Sequence, residues 1–398
     1  MHDSLHDDKA SSRLSFADLF CGAGGFTWGW VRAGFIAVTA IDIDSAALRT
    51  HVANFGHLSC RTVRFDLSQI EGEVTAVIPA LGRRKIDVVI GGPPCQGWSR
   101  VGRGKLRSLG QNEFDIISDP RNSLYRHFIN TVKHLRPTVC VMENVPGMLS
   151  VNNTNVAEEV RSNFNAIGYD CNYGLVNSKW FGVPQDRNRL IFIATNGIET
   201  IAAEGLEEYA GKFRQGTLGL SRQTTVADAI IDLPALACGE EEAPIEYVRS
   251  RGRPRRYTEL MREGSNGLVL DHVCRKHNDQ DVKAFASMHE GMKYHELDDE
   301  FKRYRDDIFK DKYKKLVWDE PSWTVTAHLG KDCYTHIHPE QPRTISVREA
   351  ARLQSFPDCF HFWGNMGERF KQIGNAVPPL MAWGIAEYVK DKMAGQHI

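Results

Sequence analysis

The sequence predicts an α/β fold in which a mostly parallel sheet carries helices on both faces. Short apolar runs alternate with amphipathic stretches between about Leu14 and Ala194, and this alternation is typical of strand–helix–strand units. Several of the apolar runs end in small or acidic residues. Ligands in such sheets bind beyond the carboxyl ends of the strands. We therefore expect a Rossmann-like domain with a ligand site at one edge of its sheet.

Each element follows from a local pattern. Apolar runs predict strands at Ser15 to Phe20, Ile36 to Ile41, Ile86 to Ile90, Val139 to Met142 and Leu190 to Ala194. Amphipathic stretches predict helices at Asp44 to Asn54, Asn122 to Leu135 and Asn155 to Ile167. A helix over Ser346 to Phe356 begins with a Ser followed by Glu349, the pattern of a capping box. A final apolar helix covers Pro379 to Val389.

The strand–helix rhythm breaks after Asn196 and returns near Arg343. Between these points Gly, Pro and charged residues interrupt every periodic pattern, which indicates a smaller, irregular inserted domain. We expect one domain made of residues 14–196 and 343–398, a second made of residues 197–342, and a flexible tail over residues 1–13.

Composition excludes several classes of protein. The chain has no apolar run of about 18 residues and no secretory leader pattern, so we expect no membrane partner and a cytoplasmic location. Nine cysteines stand at irregular intervals without a C-x-x-C pair, which favours reduced thiols over a disulfide framework or a zinc module. The formal net charge is -1, so any nucleic-acid surface has to be local. Basic clusters, which are otherwise solvated faces, occur at Arg249, Arg251, Arg253, Arg255 and Arg256, and at Lys310, Lys312, Lys314 and Lys315.

The first predicted strand runs into D-L-F-C-G-A-G-G-F, Asp18 to Phe26, directly before a helix. Small residues in this turn let a ligand approach the backbone and the free N–H groups of the helix, although the same residues suit a plain tight turn. The next strand ends at Asp42, where a carboxylate can accept hydrogen bonds from a ribose diol. Asp66 follows another short apolar segment. Together these acids favour a nucleotide-like cofactor.

A single cysteine follows the buried strand of I-D-V-V-I-G-G-P-P-C-Q-G-W-S, Ile86 to Ser99. Most single cysteines are buried hydrophobic residues. Here Pro93 and Pro94 restrict the backbone and hold Cys95 at the edge of the sheet, which favours a nucleophile. The stretch from Arg100 to Gly110 is rich in Gly, Arg and Lys, as in a mobile loop that closes over a polyanion.

Two further segments place charges near the same edge. A strand ends in E-N-V-P-G-M, so Glu143 is a candidate acid beside the cysteine. The segment Q-D-R-N-R leads into the last strand, and the period-two spacing of Arg187 and Arg189 predicts that both side chains point to one face. Without the cysteine nearby, each segment would be an ordinary charged strand end.

Taken together, these segments resemble the C5-cytosine DNA methyltransferases of bacterial restriction-modification systems. The resemblance follows the family's order through nearly the whole chain, over Asp18 to Gly25, Gly91 to Ser99, Glu143-Asn144-Val145, Gln185-x-Arg187-x-Arg189, Arg343 to Pro357 and Gln372 to Pro379. It implies a methyltransferase domain joined to a target-recognition domain, which is the expected role of residues 197–342.

The resemblance also implies the chemistry. Cys95 adds to C6 of a flipped-out cytosine, Glu143 donates a hydrogen bond or proton at the N3 and amino edge, and Arg189, helped by Arg187, holds the base through its O2. The methyl donor is S-adenosylmethionine, the product is S-adenosylhomocysteine, and no metal takes part.

For the cofactor, the resemblance assigns Phe20 to the adenine face, Asp42 to the ribose, Asp66 to the adenine amino group and Asn375 to the methionine end. The family usually has Glu where this chain has Asp42, which puts the strength of the ribose contact in doubt. Other expected cofactor contacts are Asp18, Gly22, Ala23, Gly24, Gly25, Ile43, Leu67, Pro93 and Val377.

Double-stranded DNA is the expected partner, and residues 197–342 should contact its base edges in the major groove. Within them, Trp323 to His328 contain a Thr-Val pair similar to the family's element near the flipped base. The resemblance allows for a restriction endonuclease that acts on the same site without a stable complex, and we expect a monomer. One branch of the family methylates transfer RNA, but the long basic insertion favours DNA. A catalytically silent DNA-binding relative is disfavoured because Cys95, Glu143, Arg187 and Arg189 are all present.

Overall fold

A seven-stranded sheet forms the centre of the computed structural model, which describes residues 13–69, 85–94, 123–150, 155–239, 244–247, 255–303 and 312–396. Its seven strands are β1 (Ser15–Leu19), β2 (Ile36–Asp42), β3 (Arg61–Arg64), β4 (Val88–Gly91), β5 (Val139–Asn144), β6 (Asp170–Asn177) and β8 (Asn188–Thr195), and the two-residue β7 (Gln185–Asp186) lies outside this sheet. The order across the sheet is β3-β2-β1-β4-β5-β8-β6.

Five neighbouring strands, β3, β2, β1, β4 and β5, run parallel to one another. Strand β8 is antiparallel to both of its neighbours, β5 and β6. The predicted mostly parallel sheet is therefore confirmed. The pattern of the sequence did not predict β6, because its residues D-C-N-Y-G-L-V-N are largely polar or half-exposed and form no apolar run.

Helices cover both faces of the sheet, as predicted. The helices of the described ranges, of which only some pack on the sheet, are α1 (Gly25–Arg32), α2 (Ser45–Phe55), α3 (Leu124–Leu135), α4 (Val156–Ala166), α5 (Gly205–Lys212), α6 (Val226–Ile230), α7 (Arg256–Arg262), α8 (Asp279–Ser287), α9 (Val347–Leu353), α10 (Met366–Asn375) and α11 (Pro379–Ala394). None of the helices in the described ranges combines the length and apolar character needed to cross a bilayer.

Alternate residues of each strand enter two different cores. Phe16 and Val88 pack with α1 and α11 on one face, whereas Ala17 and Val89 pack with α3 and α4 on the other. Successive side chains of a strand point to opposite faces, so a strand buried on both sides must be apolar throughout. This explains the continuous apolar runs in β4 and β5.

The described residues between positions 197 and 342 form short elements, including the two-residue strands β9 (Ile245–Glu246), β10 (Leu268–Val269) and β11 (Ser322–Trp323). Part of this segment extends the main core, because Leu206, Phe213 and Val226 pack with residues of the sheet. A separate aromatic cluster includes Phe285 and Tyr313. The described part of this segment thus packs partly on the main core and partly in a small cluster of its own.

Helix α9 joins these parts through buried arginines. The predicted capping box is present, with the Glu349 backbone N–H donating to Ser346 Oγ over 3.0 Å. Arg352 donates to Asp358 over 2.6 Å and to Asp232 over 2.5 Å, and all three side chains are at most 1% exposed. Burial by itself would raise the pKa of Asp358, but the attraction of Arg352 outweighs it and the pKa is lowered.

Replacing Arg352 by leucine should lower the free energy of unfolding by about 3–5 kcal/mol, because Asp358 stays buried without its close cation and only Arg348, at 3.9 Å, remains near it. Urea denaturation followed by circular dichroism measures this change. Arg161→Leu is the control, since Arg161 and its partner Glu158 are 48% and 42% exposed and such pairs contribute at most about 1 kcal/mol. Equal losses in the two variants would contradict the role given to the buried pair.

Candidate active site

The carboxyl ends of β1, β2, β4 and β5 meet at one edge of the sheet, here called the rim. Strand β8 runs in the opposite direction, so its beginning rather than its end reaches the rim, with Leu190 opposite Asn144. Residues that precede and follow different strands are thereby brought together. The predicted residues Glu143 and Arg189 meet at this place.

Glu143 and Arg189 form an ion pair in which Arg189 Nε lies 2.6 Å from Glu143 Oε1. Their side chains are only 12% and 13% exposed. Burial lowers the pKa of Arg189, and the neighbouring Glu143 carboxylate opposes this effect. Arg189 also donates to the Asn188 carbonyl over 2.7 Å. The pair is therefore a nearly enclosed carboxylate and cation at the end of β5.

The start of the cysteine loop lies against this pair. A Cβ built on Gly92 would be 3.3 Å from Glu143 Oε2, so the backbone passes close to the carboxylate. Asn144 Nδ2 donates to the Pro93 carbonyl over 3.1 Å, which attaches the loop to the end of β5. Cys95 and the Arg100–Gly110 stretch lie outside the described residues.

Asn144 belongs to the Glu143-Asn144-Val145 motif, but the sequence alone suggested no role for its side chain. It directly follows Glu143 on β5, and its side chain is 3% exposed. The side-chain oxygen Oδ1 of Asn144 also accepts a hydrogen bond from the backbone N–H of Val145 over 2.8 Å. A buried polar residue at the end of an apolar strand was the available signal, but the position of its partner, Pro93, depends on the pairing of β4 and β5.

Arg187 and Arg189 have different partners. The guanidinium of Arg187 is buried and donates to the backbone carbonyls of Val325, Gly374 and Ala376. Burial lowers its pKa strongly. Residue 187 falls between β7 and β8 rather than within a strand, so the period-two argument for a shared direction does not apply to it.

The glycine-rich turn after β1 has the conformation that its residues suggest. Phe20, Gly22 and Gly24 have φ values of 60°, 54° and 98°, which favour glycine and cost energy at Phe20. Asp42 holds this turn, because Gly22 N–H donates to its Oδ2 over 2.8 Å and Asp44 N–H to its Oδ1 over 2.8 Å. The end of β2 thus fixes the turn after β1.

The residues around this turn fit an adenosine-containing cofactor. A Cβ on Gly22 would meet no atom within 4 Å, so space is open beside the turn. Ile43 is 55% exposed and Phe20 is half-buried, which provides apolar surface for a base. Each oxygen of Asp42 accepts one backbone N–H and keeps capacity for another donor. Among the described residues, no group of three His, Cys, Asp or Glu side chains is arranged to hold a metal ion.

Asp18 has a different environment from the other predicted cofactor residues. Its side chain is fully buried and accepts a hydrogen bond from Thr27 Oγ1 over 2.6 Å, while its Oδ1 has no partner among the described residues. Burial raises the pKa of Asp18 to about 8. A neutral carboxylic acid that anchors α1 to β1 accounts for this geometry.

The remaining predicted cofactor residues lie near the rim with varied exposure. Asp66 accepts hydrogen bonds from Ser68, and the Leu67 side chain is in the core at 2% exposure. Ala23 and Val377 are buried, and Asn375 is exposed at the end of α10. A Cβ on Gly25 would lie 2.4 Å from the Val377 carbonyl oxygen, so the glycine turn and the last motif are in direct backbone contact.

A family model and two relatives of known type match most of the chain. Residues 14–391 match the family model described as C-5 cytosine-specific DNA methylase. The chain is 35% identical to type II methyltransferase M.XorII of Xanthomonas oryzae pv. oryzae, covering 92% of this chain and 82% of that protein. It is 33% identical to type II methyltransferase M1.HphI of Haemophilus parahaemolyticus, covering 94% and 86%.

Solved structures share the fold. A crystal structure of a prophage-encoded protein from E. coli superposes with a TM-score of 0.72 at 27% identity, covering 96% of this chain and 99% of that one. The Dnmt2 methyltransferase of S. pombe has a TM-score of 0.55 at 17% identity, with 95% and 99% covered. The second likeness concerns the fold alone.

The raised pKa of Asp18 predicts a specific pH dependence. Its contribution to stability is complete below the unfolded pKa near 4 and is lost as the pH rises towards the folded pKa of about 8. Asp18→Asn keeps an acceptor for Thr27 and removes the titration. The unfolding free energy of wild type relative to this variant should fall by up to about 1.4 kcal/mol per pH unit between pH 5 and 8, as measured by urea denaturation.

Asp44→Asn is the matched control for this measurement. The pKa of Asp44 is lowered, because its bonds to Lys371 and to the α2 backbone outweigh the effect of burial. Its contribution is therefore constant above about pH 5. Parallel pH profiles for wild type and Asp18→Asn would show that Asp18 is ionised in the folded protein.

Proposed function

Because the chain belongs to the C-5 cytosine-specific DNA methylase family, we propose which of its residues carry out the methylation of cytosine C5 in DNA. The chain is a DNA (cytosine-5)-methyltransferase, and its family uses S-adenosylmethionine as methyl donor. The residue assignments rest chiefly on one observation. The Glu143–Arg189 ion pair lies directly against the start of the loop that leads to Cys95.

Cytosine C5 is a poor nucleophile because the ring is aromatic and electron-poor. In the proposed reaction the Cys95 thiolate forms a bond to C6, and the electron pair of the C5–C6 double bond becomes available at C5. When bound, S-adenosylmethionine would supply an electrophilic methyl group: C5 would form a bond to this methyl carbon while the bond from the methyl to the sulfonium sulfur breaks, which would leave S-adenosylhomocysteine. A base then removes the C5 proton, the C5–C6 double bond re-forms and the C6–S bond breaks, which frees Cys95.

Glu143 and Arg189 have complementary tasks in this proposal. Negative charge develops on the N3 side of the ring as the thiolate adds, and a protonated Glu143 donates a hydrogen bond or proton there. Arg189 donates to the O2 of the base and favours the thiolate form of Cys95 by its positive charge. The ion pair joins Arg189 Nε to Glu143 Oε1, so the second carboxylate oxygen and the guanidinium Nη2 are the atoms assigned to the cytosine edge.

The cofactor is proposed to bind along the ends of β1, β2 and β3. Phe20 and Ile43 supply apolar surface for the adenine, Asp42 accepts the ribose hydroxyls, and Asp66 accepts the adenine amino group. Contacts to the rest of the cofactor are assigned to the turn of Gly22, Ala23, Gly24 and Gly25 and to the segments containing Leu67, Pro93, Asn375 and Val377. Because Asp18 is buried, its assigned contribution is to hold the turn in place.

Residues 197–342 are proposed to recognise double-stranded DNA and residues 14–196 with 343–398 to catalyse the transfer. A base within a duplex cannot present C6 to a thiol, so the target cytosine has to be flipped into the rim. The type II relatives support a restriction-modification role, in which methylation of a short site protects host DNA from an endonuclease that acts on the same sequence. We further propose that the enzyme works as a monomer on DNA in the cytoplasm.

Covalent trapping tests the proposed function. Sequencing of 5-methylcytosine in DNA from cells that express the chain first identifies the methylated site. A duplex with 5-fluorocytosine at that position should then form an adduct with wild-type enzyme and S-adenosylmethionine, because fluorine at C5 cannot be removed as a proton. The adduct survives denaturing electrophoresis. Cys95→Ala should form none.

Cys359→Ala is the matched control, since Cys359 is exposed and outside the proposed site. It should form the adduct to the same extent as wild type. An adduct or 5-methylcytosine produced by Cys95→Ala would refute the assignment of the nucleophile. Methyl groups found on adenine or on cytosine N4 would refute the proposed mechanism.

A further inference from the structure

Arg187 joins three separate segments of the chain. Its guanidinium donates to the carbonyl of Val325 over 2.7 Å, to that of Gly374 over 3.0 Å and to that of Ala376 over 3.1 Å. The residue is 1% exposed. Val325 belongs to the Thr-Val element of residues 197–342, whereas Gly374 and Ala376 flank the predicted cofactor residue Asn375. One side chain therefore holds a DNA-recognition segment to a cofactor segment.

Two buried amides form a second connection between the same segments. The Val325 N–H donates to Gln185 Oε1 over 2.9 Å, and Gln185 Nε2 donates to Gln354 Oε1 over 2.6 Å. Gln354 Nε2 then donates to the Ala376 carbonyl over 3.2 Å. Both backbone polar groups of Val325 are thus connected to Ala376, one through Arg187 and the other through the glutamines.

The backbones of the two segments also touch. A Cβ built on Gly374 would be 2.1 Å from the carbonyl carbon of Thr326, so only glycine fits at this position of α10. On the other side, Thr324 Oγ1 donates to the Asp186 carbonyl over 2.8 Å. The Thr324–Thr326 segment therefore lies between β7 and the end of α10.

Separating these segments would be energetically costly. Each buried donor or acceptor left without a partner costs about 1–3 kcal/mol, and more when the group is charged. Arg187 already has an unsatisfied buried Nε, and it has no carboxylate within hydrogen-bonding distance among its described partners. Its remaining donors depend on the three carbonyls. The two segments should consequently shift together rather than separately.

We propose that Arg187 is a positioning residue that couples cofactor binding to DNA binding. This differs from the sequence-based expectation that Arg187 assists Arg189 at the base, and it rests on the proposed function. When DNA contacts shift the Thr324–Thr326 segment, Arg187 transmits the shift to Gly374 and Ala376 in the cofactor segment. By thermodynamic reciprocity, bound cofactor favours the DNA-binding arrangement by the same factor.

The coupling is measured as a ratio of cofactor dissociation constants. Isothermal titration calorimetry gives the Kd of S-adenosylhomocysteine for the full chain with and without a duplex that carries the mapped methylation site. For wild type we expect the duplex to lower this Kd by about five-fold or more, the lower range of common couplings. For Arg187→Gln the ratio should approach one.

Arg348→Gln is the matched control. Arg348 is another fully buried arginine, which donates to the Leu270 and Pro357 carbonyls and to Asp271, and its contacts do not include Val325, Gly374 or Ala376. The substitution should reduce stability and leave the ratio at the wild-type value. Should Arg187→Gln fail to fold, Gln354→Met interrupts only the second connection, and it should reduce the ratio by about half or more.

Several results would overturn the coupling. The first is a ratio of one in the wild-type protein. The second is an unchanged ratio in Arg187→Gln or Gln354→Met. The third is a loss of the ratio in Arg348→Gln as large as that in Arg187→Gln. An assay for 5-methylcytosine on the same wild-type preparation distinguishes a failure of the coupling from a failure of the proposed function. If the product forms while the wild-type ratio is one, the coupling alone is wrong, whereas absence of the product means that the proposed function itself fails.

Discussion

The ion pair between Glu143 and Arg189 depends on the antiparallel pairing of β5 and β8. Glu143 is near the end of β5, and Arg189 is near the start of β8, with Glu143 opposite Ile191 in the register. If β8 ran parallel to β5, its start would lie at the opposite edge of the sheet, far from the cysteine loop. The direction of this one strand therefore determines that a carboxylate and a guanidinium meet beside Gly92 and Pro93. The proposed chemistry requires both groups at that position.

Burial gives this pair its energetic character. Two charges removed from water stabilise each other, and either one left alone would be strongly unfavourable. Arg189 shows the balance directly, since burial lowers its pKa while Glu143 opposes the change. In the proposed reaction the N3 and amino edge of the cytosine faces Glu143 and its O2 faces Arg189, while the Cys95 thiolate supplies negative charge for the guanidinium. Asn144 keeps the loop attached to β5.

The sequence predicted the elements whose local pattern is strong. The apolar runs of β1, β2, β4 and β5 and the capping box at Ser346 are present because strand burial and helix capping are local effects. Strand β6 was missed, because its polar composition is compatible with a strand only in the context of its pairing with β8. Phe20 and Asp42 were recognisable as the turn and the acid that follow strands.

Other features of the site depend on contacts between distant residues. Arg187 and its acceptors Val325, Gly374 and Ala376 are separated by 138 to 189 positions, so no local pattern reveals them. The same applies to Asn144 and Pro93, which are 51 positions apart. Asp18 stands in a motif typical of cofactor sites, but its burial against Thr27 depends on how α1 packs on β1. For each of these residues the sequence showed a polar or charged side chain within a motif, but its bonding partner is determined by the packing of distant segments.

Turnover of the Glu143→Gln variant tests most directly whether this ion pair is the catalytic centre. Glutamine retains the shape and hydrogen-bonding capacity of the side chain but cannot carry the proton. We expect kcat to fall by roughly 10²–10⁴-fold, with the Kd for S-adenosylhomocysteine within about two-fold of wild type, since that ligand is assigned to other residues. A kcat within about three-fold of wild type would show that the chemistry proceeds without Glu143 and would contradict the account.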